Sequence, residues 1–355
     1  MNKSYINGVG CISAQNTFGT DFLDEFMIND SLNVLFAMQP SYKEVIPPAA
    51  IRRMAKGVKM GIYASNSALK EANCTVPDAI ITGTGMGCVE DSEKFLKGII
   101  DNKEQFLTPT SFIQSTHNTV GAQIALGMQC KGYNFTYVNG AVSFESALLD
   151  AKLQLENQEA NSILVGGIDE TSEHTLSLYK LINLLKNDED RPFTILDSNS
   201  KGVVFGEGAS FFVLENKPTD NSYAVIENIA MINQLNEDEV EGFIKQFLEA
   251  NKLDSNDIDV VVLGNNGDNQ YDHFYNSPKT LFNAIPQVYY KHLCGEFNTA
   301  STFGFWVAAK ILKNQFIPEV LLMNNMPSKE YEYILLYNQY CGKDHSLILL
   351  KNVKK

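Results

Sequence analysis

One short pattern occurs twice in this chain, and the repeat limits the folds that the sequence can adopt. A helical stretch that ends in Glu-Ala-Asn at 71–73 leads into a strand-like run at 78–83. A second helical stretch ends in the same three residues at 249–251 and leads into a similar run at 259–264. Each run closes on a glycine, and apolar runs of this kind are typical of parallel strands that helices cover on both faces. Two related α/β halves are therefore predicted.

The boundary between the halves is predicted in the polar stretch at 215–222, which contains turn-forming residues and no apolar periodicity. This boundary gives a first domain at 1–215 and a second domain at 216–355. Apolar residues recur at helical spacing at 144–154 and at 305–312, in both cases after a turn that contains glycine. These two segments are predicted to be crossover helices of doubly wound units.

Composition and charge exclude several classes of protein. The 355 residues are 44% hydrophobic and 20% charged, which is enough for one large core or two fused ones. A net charge of −14 argues against nucleic acid or an anionic membrane as partner, because both require a basic face. The N-terminal sequence lacks the apolar core of a signal peptide, and no apolar stretch reaches 18 residues. A cytoplasmic protein is expected.

Neither the cysteines nor the glycine-rich turn indicates a cofactor. The turn at 83–87 fails the dinucleotide fingerprint because Cys88 stands where the last glycine is needed, and no P-loop lysine follows. The six cysteines form no C-x-x-C pair, so neither a zinc site nor a disulfide framework is indicated, and buried free thiols are expected. They are Cys11, Cys74, Cys88, Cys130, Cys294 and Cys341.

A series of motifs across almost the whole chain resembles the β-ketoacyl synthases in content and order. The most specific is the block at 191–209, which begins Arg-Pro-Phe and ends Gly-Glu-Gly-Ala. The others are Arg52-Arg53-Met54 with its helix, the turn at Gly83, 109–118, Lys131-Gly132-Tyr133, and Val165-Gly166-Gly167 with Glu170. The resemblance implies a thiolase-like α/β fold with five layers, α-β-α-β-α, built from two pseudo-repeated halves. It also implies a dimer that forms across the nucleophile region.

The resemblance locates the positions that carry catalysis in this family, and this chain departs from the family at each of them. The family places a nucleophilic cysteine at a strand-to-helix elbow, where this chain has Ala141. Ser143 is two residues away and is expected to point elsewhere. The two histidines that support the oxyanion correspond to Asn265 and Glu296, and a carboxylate cannot donate to an oxyanion unless it is protonated. Lys291 is retained, and a structural ion pair with Glu296 or another acid is its simplest role.

These departures favour a protein that has lost the chemistry and kept the scaffold. The resemblance implies a chain-length-factor-like partner of a cysteine-bearing ketosynthase in polyketide or fatty acid synthesis, including aryl polyene systems. Acyl carrier proteins are acidic, and an acidic chain repels them, so a carrier would then dock mainly on the partner. A homodimer of the isolated chain remains an alternative to this pairing. No cofactor and no metal are expected.

Two enzymatic alternatives remain open at this point. The chain could be a divergent acyltransferase or 3-oxoacyl synthase that uses a relocated nucleophile, for which Cys88, Cys294 and Cys341 are the candidates. It could also be a decarboxylating subunit, but that role normally keeps both histidines, and both are replaced here.

The resemblance also indicates which residues line the acyl tunnel and the dimer interface. In the family, the segment after Thr108-Pro109 reaches across the dimer axis towards the partner's tunnel. Here it carries Ser111, Phe112 and Ile113, of which Phe112 is the candidate for the tunnel floor. In the drifted loop at 339–344, Tyr340 falls where the family has a gating phenylalanine.

Overall fold

The computed structural model describes residues 3–18, 26–324, 326 and 330–354. Within these residues, ten strands form one mixed sheet and two short strands form a second, parallel pair. The strands of the first half are β1 Ser4–Ile12, β2 Val34–Leu35, β3 Ala79–Gly83, β4 Tyr133–Tyr137, β5 Ser162–Asp169, β6 Phe205–Gly206 and β7 Gly208–Glu215. Those of the second half are β8 Val225–Asn233, β9 Val260–Leu263, β10 Gln287–Tyr289, β11 Tyr333–Tyr340 and β12 Asp344–Lys351.

The order of the strands confirms the predicted repeat. The large sheet runs β10-β9-β11-β12-β8-β1-β7-β5-β3-β4, with β2 and β6 outside it. If the five strands of each half are numbered along the chain, both halves have the order 3-2-4-5-1. The two halves join edge to edge where β1 pairs antiparallel with β8. The polar stretch at 215–222 lies between β7 and β8, and the division of the chain into two domains at 215/216 stays a prediction.

Helices cover the sheet on both faces and complete the layers. Along the chain they are α1 Pro48–Ile51, α2 Lys56–Glu71, α3 Val89–Asp101, α4 Pro109–Ser115, α5 Thr119–Met128, α6 Ser143–Glu156, α7 Glu173–Leu181, α8 Val240–Ala250, α9 Asn276–Leu281, α10 Lys291–Cys294 and α11 Ser301–Asn314. The two predicted crossover helices are α6 and α11. Both lie in the central core, which also contains side chains from the strands of both halves.

The alternation of side chains along the strands explains the five layers. In β3, Ala79 and Ile81 face the central core, whereas Ile80 faces a second core that contains residues of α2 and α5. In β9, Val260 and Val262 face the central core, whereas the residues between and after them face a third core beside α8 and α9. Successive side chains of a strand point to opposite faces, so each run is apolar throughout because both faces are covered. The five layers are therefore α2/α5, the first half of the large sheet, α6/α11, the second half of that sheet, and α8/α9.

Candidate functional site

The elbow between β4 and α6 holds Ala141, the residue that the resemblance matches to the family's nucleophile. Gly140 turns the chain with φ +54°, and Ala141 is buried in the short 3-10 turn that follows. Ser143 is engaged within the elbow, because its hydroxyl accepts from the Asn139 amide at 2.8 Å and donates to the Gly140 carbonyl at 2.7 Å. A methyl group therefore stands at the turn, and the nearest hydroxyl is used to hold the backbone.

A buried ion pair lies beyond the carboxyl ends of β9 and β10. Lys291 Nζ donates to Glu296 Oε2 at 2.7 Å, and the two side chains are 1% and 2% exposed. Lys291 Nζ also donates to Asn338 Oδ1 at 2.9 Å, and Asn266 Nδ2 donates to the same Glu296 oxygen at 2.6 Å. The sequence predicted a structural ion pair for Lys291, and the structure contains it. Asn266 and Asn338 were not predicted, since nothing in their sequence surroundings links them to residues 30 and 47 positions away.

Asn265 lies beside this ion pair in the polar turn after β9. Its side chain is buried, and its Oδ1 has no hydrogen-bond partner among the described residues. Burial raises the pKa of the neighbouring Asp272, although the backbone amides of Asn266 and Gly267 and the side chain of Asn265 lower it in part. An amide here can donate or accept hydrogen bonds, but it cannot act as a general base in the way that an imidazole can.

Glu145 connects the elbow to the ion pair. It lies in the first turn of α6, fully buried, and its Oε1 accepts from Ser346 Oγ at 3.0 Å. Burial raises the pKa of Glu145 to about 6, and nearby Lys291 opposes that rise. The positions of Ala141 and Lys291 thus belong to one electrostatic environment, which holds two buried carboxylates and one ammonium group.

The aromatic residue at the gating position closes a very small cavity. Tyr340 lines a space of about 30 Å³ together with Tyr179, Phe205 and Asn298. The rings of Tyr179 and Phe205 stack with their centroids 4.7 Å apart. A cavity of this size has room for about one water molecule, whereas small-molecule pockets measure roughly 300–1,000 Å³.

The backbone amides of the glycine-rich turn are occupied by the protein itself. Asp169, at the end of β5, accepts with one oxygen from the backbone amides of Gly85 and Met86 and from the Thr84 hydroxyl. Its other oxygen accepts from the backbone amide and the hydroxyl of Thr299. Asp169 therefore ties the first half to the second. Sequence reasoning missed this residue, for which an acid directly after a buried strand was the only signal.

The thiols proposed as relocated nucleophiles lie in surroundings that favour the protonated form. Burial is the largest cause of a raised pKa at Cys88, at Cys294 and at Cys341, where the pKa is about 11. The thiolate is the reactive species, so these groups are poor nucleophiles at neutral pH. The expectation of buried thiols is wrong for three of the six, because Cys74, Cys130 and Cys341 are only half-buried at the ends of secondary-structure elements.

The predicted tunnel and interface segment on α4 lies on an exposed apolar surface of the chain, whereas Tyr340 is half-buried at the end of β11. Ser111, Phe112 and Ile113 are on α4, where Phe112 is 53% exposed and contacts Phe95 with ring centroids 5.2 Å apart. Strand β4, at the edge of the large sheet, exposes Tyr133 and Phe135. An uncovered edge strand with aromatic side chains is a template for pairing with another chain.

Among the described residues, no group of three or more His, Cys, Asp or Glu side chains is arranged to hold a metal ion. No helix in the described part of the chain is both long and apolar enough to cross a bilayer.

Fold and site together define a thiolase-like protein with a buried alanine at the strand-to-helix elbow, and the comparisons give its family. Residues 34–219, just over half of the chain, match the N-terminal domain of the β-ketoacyl synthases. The chain belongs to this family. Nodulation protein E of Rhizobium meliloti is 24% identical over 163 residues, a match that covers 44% of this chain and only 40% of that relative.

Solved structures resemble the chain over nearly its whole length. A structure titled as the ishigamide ketosynthase/chain length factor matches with a TM-score of 0.79 at 16% identity and covers 99% of both chains. A β-ketoacyl synthase from Burkholderia phymatum has the same TM-score at 17% identity over 99% of this chain and 100% of that one. A ketosynthase in complex with its chain length factor from Xenorhabdus doucetiae gives 0.75 at 14% identity, covering 99% and 98%. At these identities the similarity shows the fold.

Proposed function

We propose that this chain is a catalytically degenerate β-ketoacyl synthase that acts as a chain-length-factor-like partner of an active, cysteine-bearing ketosynthase. The pair would work in polyketide or fatty acid biosynthesis, including aryl polyene systems. The observation that carries the proposal is the buried methyl group of Ala141 at the strand-to-helix elbow between β4 and α6. Condensation proceeds through an acyl thioester, and an alanine cannot form one.

The contacts of Glu296 support the same conclusion. Glu296 is held by Lys291 and by the amide of Asn266, so its acceptor oxygen is already paired within the protein. An oxyanion needs preorganised donors, and here the strongest buried donor, the Lys291 ammonium, is directed at a carboxylate and an amide oxygen. The site is arranged to stabilise itself rather than a developing negative charge.

The exposed surface at β4 and α4 supports a role as partner. Some structurally similar proteins are ketosynthases paired with chain length factors. In this chain the edge strand β4 and the residues Phe112 and Ile113 leave apolar area exposed that a second subunit would cover. Interfaces of this obligate kind bury more than about 2,000 Å² in total. This chain is acidic, so the partner subunit would have to supply the basic surface on which an acidic carrier protein docks.

Intact-protein mass spectrometry tests the loss of catalysis. The purified chain is mixed with an acylated carrier protein, and we expect no acyl group on any cysteine. The cysteine-bearing partner, treated in the same way, serves as the positive control. A stable thioester that disappears when one of the six cysteines is replaced would overturn the proposal and favour the relocated-nucleophile alternative.

A paired substitution tests the partnership. Phe135→Asp places a charge on the exposed edge strand and should prevent co-purification with the ketosynthase, because an unpaired charge is costly in an apolar interface. Phe316→Asp changes a somewhat more exposed phenylalanine just beyond α11 and should leave co-purification unaffected. A wild-type chain that stays monomeric both alone and with the ketosynthase would contradict the assignment.

A further inference from the structure

A buried lysine and two serines outside the family's catalytic positions form a second polar centre. Lys186 is 1% exposed, and its Nζ lies 2.6 Å from Ser200 Oγ and 3.0 Å from Ser198 Oγ. It also contacts the carbonyl oxygen of Gly267, at 2.9 Å. Among the described residues, its three hydrogen-bond partners are all uncharged oxygens. A buried ammonium without a carboxylate in contact is unfavourable, which favours the neutral amine.

Lys186 and Ser200 are both held in place by backbone hydrogen bonds. The Lys186 amide donates to the Val203 carbonyl at 3.0 Å, next to the bridge between Leu185 and Val203. On the other side, the amide of Asn269 donates to the Ser200 carbonyl at 3.1 Å. The two side chains therefore come from a pre-organised frame that the second half of the fold completes.

Gly267 brings its carbonyl to the lysine through a conformation that other residues avoid. Its φ is +80°, and a Cβ there would lie 3.1 Å from both Ile195 Cα and the Thr194 carbonyl oxygen. The glycine therefore lets the loop after β9 pack closely against the segment that carries the serines. Glycine adopts this turn without strain, and the result is a third oxygen directed at Lys186 Nζ.

The serines face an open cavity. A cleft of about 330 Å³ is lined by Lys186, Ser198 and Ser200, with Pro192 and Phe193 as apolar wall and Asp190 and Asp197 also in the lining. Both serines are half-buried, so their hydroxyls are within reach of a small molecule in the cleft. The two carboxylates disfavour anionic ligands. The cleft therefore fits a short, uncharged acyl group.

We propose that Ser200 and Lys186 form a serine–lysine dyad that accepts acyl groups from small uncharged esters or thioesters. A lysine amine beside a serine hydroxyl is a known arrangement for activating the serine as a nucleophile. Ser200 Oγ forms a bond to the carbonyl carbon, the bond to the leaving alcohol or thiol breaks, and Lys186 Nζ takes the serine proton and passes it to the leaving group. Water then hydrolyses the acyl-serine to a carboxylic acid and free Ser200. This activity is independent of the missing cysteine.

The environment of Lys186 is consistent with a base. Burial lowers its pKa, while Asp190, Asp268 and Asp272 oppose that shift from the surrounding segments. Asp197, in the cleft lining, is a further charge near the amine. A lysine must lose its proton before it can accept one from serine, so acylation should become faster as pH rises towards the ordinary lysine value.

The full-length protein is treated with p-nitrophenyl acetate, p-nitrophenolate release is followed, and peptide mass spectrometry locates the acetyl group. We expect acetylation of Ser200, its loss in Ser200→Ala, and a rate at least about 100-fold lower in Lys186→Met, the usual size of a general-base effect. Ser177→Ala removes an exposed serine hydroxyl on α7, outside the cleft, and is the matched control that should retain the wild-type rate. Lys186→Arg supplies hydrogen-bond donors but cannot accept a proton. This variant should therefore preserve any structural role of Lys186 and still lose the reaction.

Two results would overturn the dyad: no acetyl group on Ser200 of the wild-type protein, or an unchanged rate in Lys186→Met. If the lysine variants do not fold, the pH profile of the wild type decides. A rate that rises with loss of one proton below the ordinary lysine pKa supports the dyad, and a rate that follows only the hydroxide concentration contradicts it. Because the readout is an ester on a serine, it is distinct from the cysteine thioester that tests the proposed function.

Discussion

Removing the ammonium of Lys291 should strongly destabilise the protein. In Lys291→Met, Glu296 keeps the amide of Asn266 but loses the ammonium at 2.7 Å. Asn338 Oδ1 loses its shorter donor and keeps the Tyr290 hydroxyl at 3.4 Å. Breaking a buried pair by removing one partner costs about 3–5 kcal/mol, because the remaining charge is buried without compensation. Loss of the ion pair would therefore remove a large fraction of the roughly 5–15 kcal/mol that stabilises a typical domain.

A double variant separates the ion pair from general packing. Lys291→Met combined with Glu296→Leu leaves no unpaired charge, so its loss of stability should be at least about 2 kcal/mol smaller than the sum of the single losses, within the usual range of coupling energies. Lys245→Met is the matched control, because Lys245 pairs with Glu241 at 2.6 Å with both side chains about half exposed. Exposed pairs of this kind contribute about 0.3–0.5 kcal/mol.

Urea denaturation at neutral pH gives these free energies of unfolding. The fluorescence of Trp306, the only tryptophan, follows the central layer, and circular dichroism follows the helices. The two signals should coincide if unfolding is two-state. A loss below about 1 kcal/mol in Lys291→Met, or strictly additive losses in the double variant, would refute the view that this buried pair holds the region around Glu296 together.

Three further outcomes are expected. Ala141→Cys alone should give little condensation when product is assayed with malonyl-carrier substrate, because Asn265 and Glu296 still provide no imidazole; substantial turnover would contradict this. Phe112→Ala, assayed with the partner ketosynthase, should lengthen the products. Phe106→Ala, which changes a more exposed phenylalanine, should leave product length unchanged. If Phe112→Ala only weakens the complex and product length stays the same, Phe112 is a packing residue. Burial raises the pKa of Glu145 from 4.5 to about 6, so the folded state binds this proton more tightly than the unfolded state and loses stability as pH rises through that range. Glu145→Gln should therefore be more stable than the wild type at pH 7 by on the order of 2 kcal/mol, with a smaller difference at pH 5 in urea titrations; a constant difference would refute the assignment.

The sequence determined the secondary structure of the core and the existence of two related halves. The runs that became β3 and β9 are apolar on both faces, and that pattern follows from burial between helices whatever the rest of the chain does. The sequence alone also showed that the elbow carries no thiol at position 141, because this depends only on which residue occupies that position. The fold class and the family were predicted correctly from such local signals.

The tertiary structure alone decided which polar side chains meet. Asp169 joins Thr84 to Thr299, Asn338 reaches Lys291, and Ser200 lies against Lys186 beneath Gly267. Lys291 and Glu296 are five residues apart, so their pairing could be proposed from the sequence. The other partners come from different strands and loops, and their distances follow from strand order and from the close approach of the two halves. Hydrogen bonds act over about 3 Å, and a linear sequence carries no measure of that distance between remote residues.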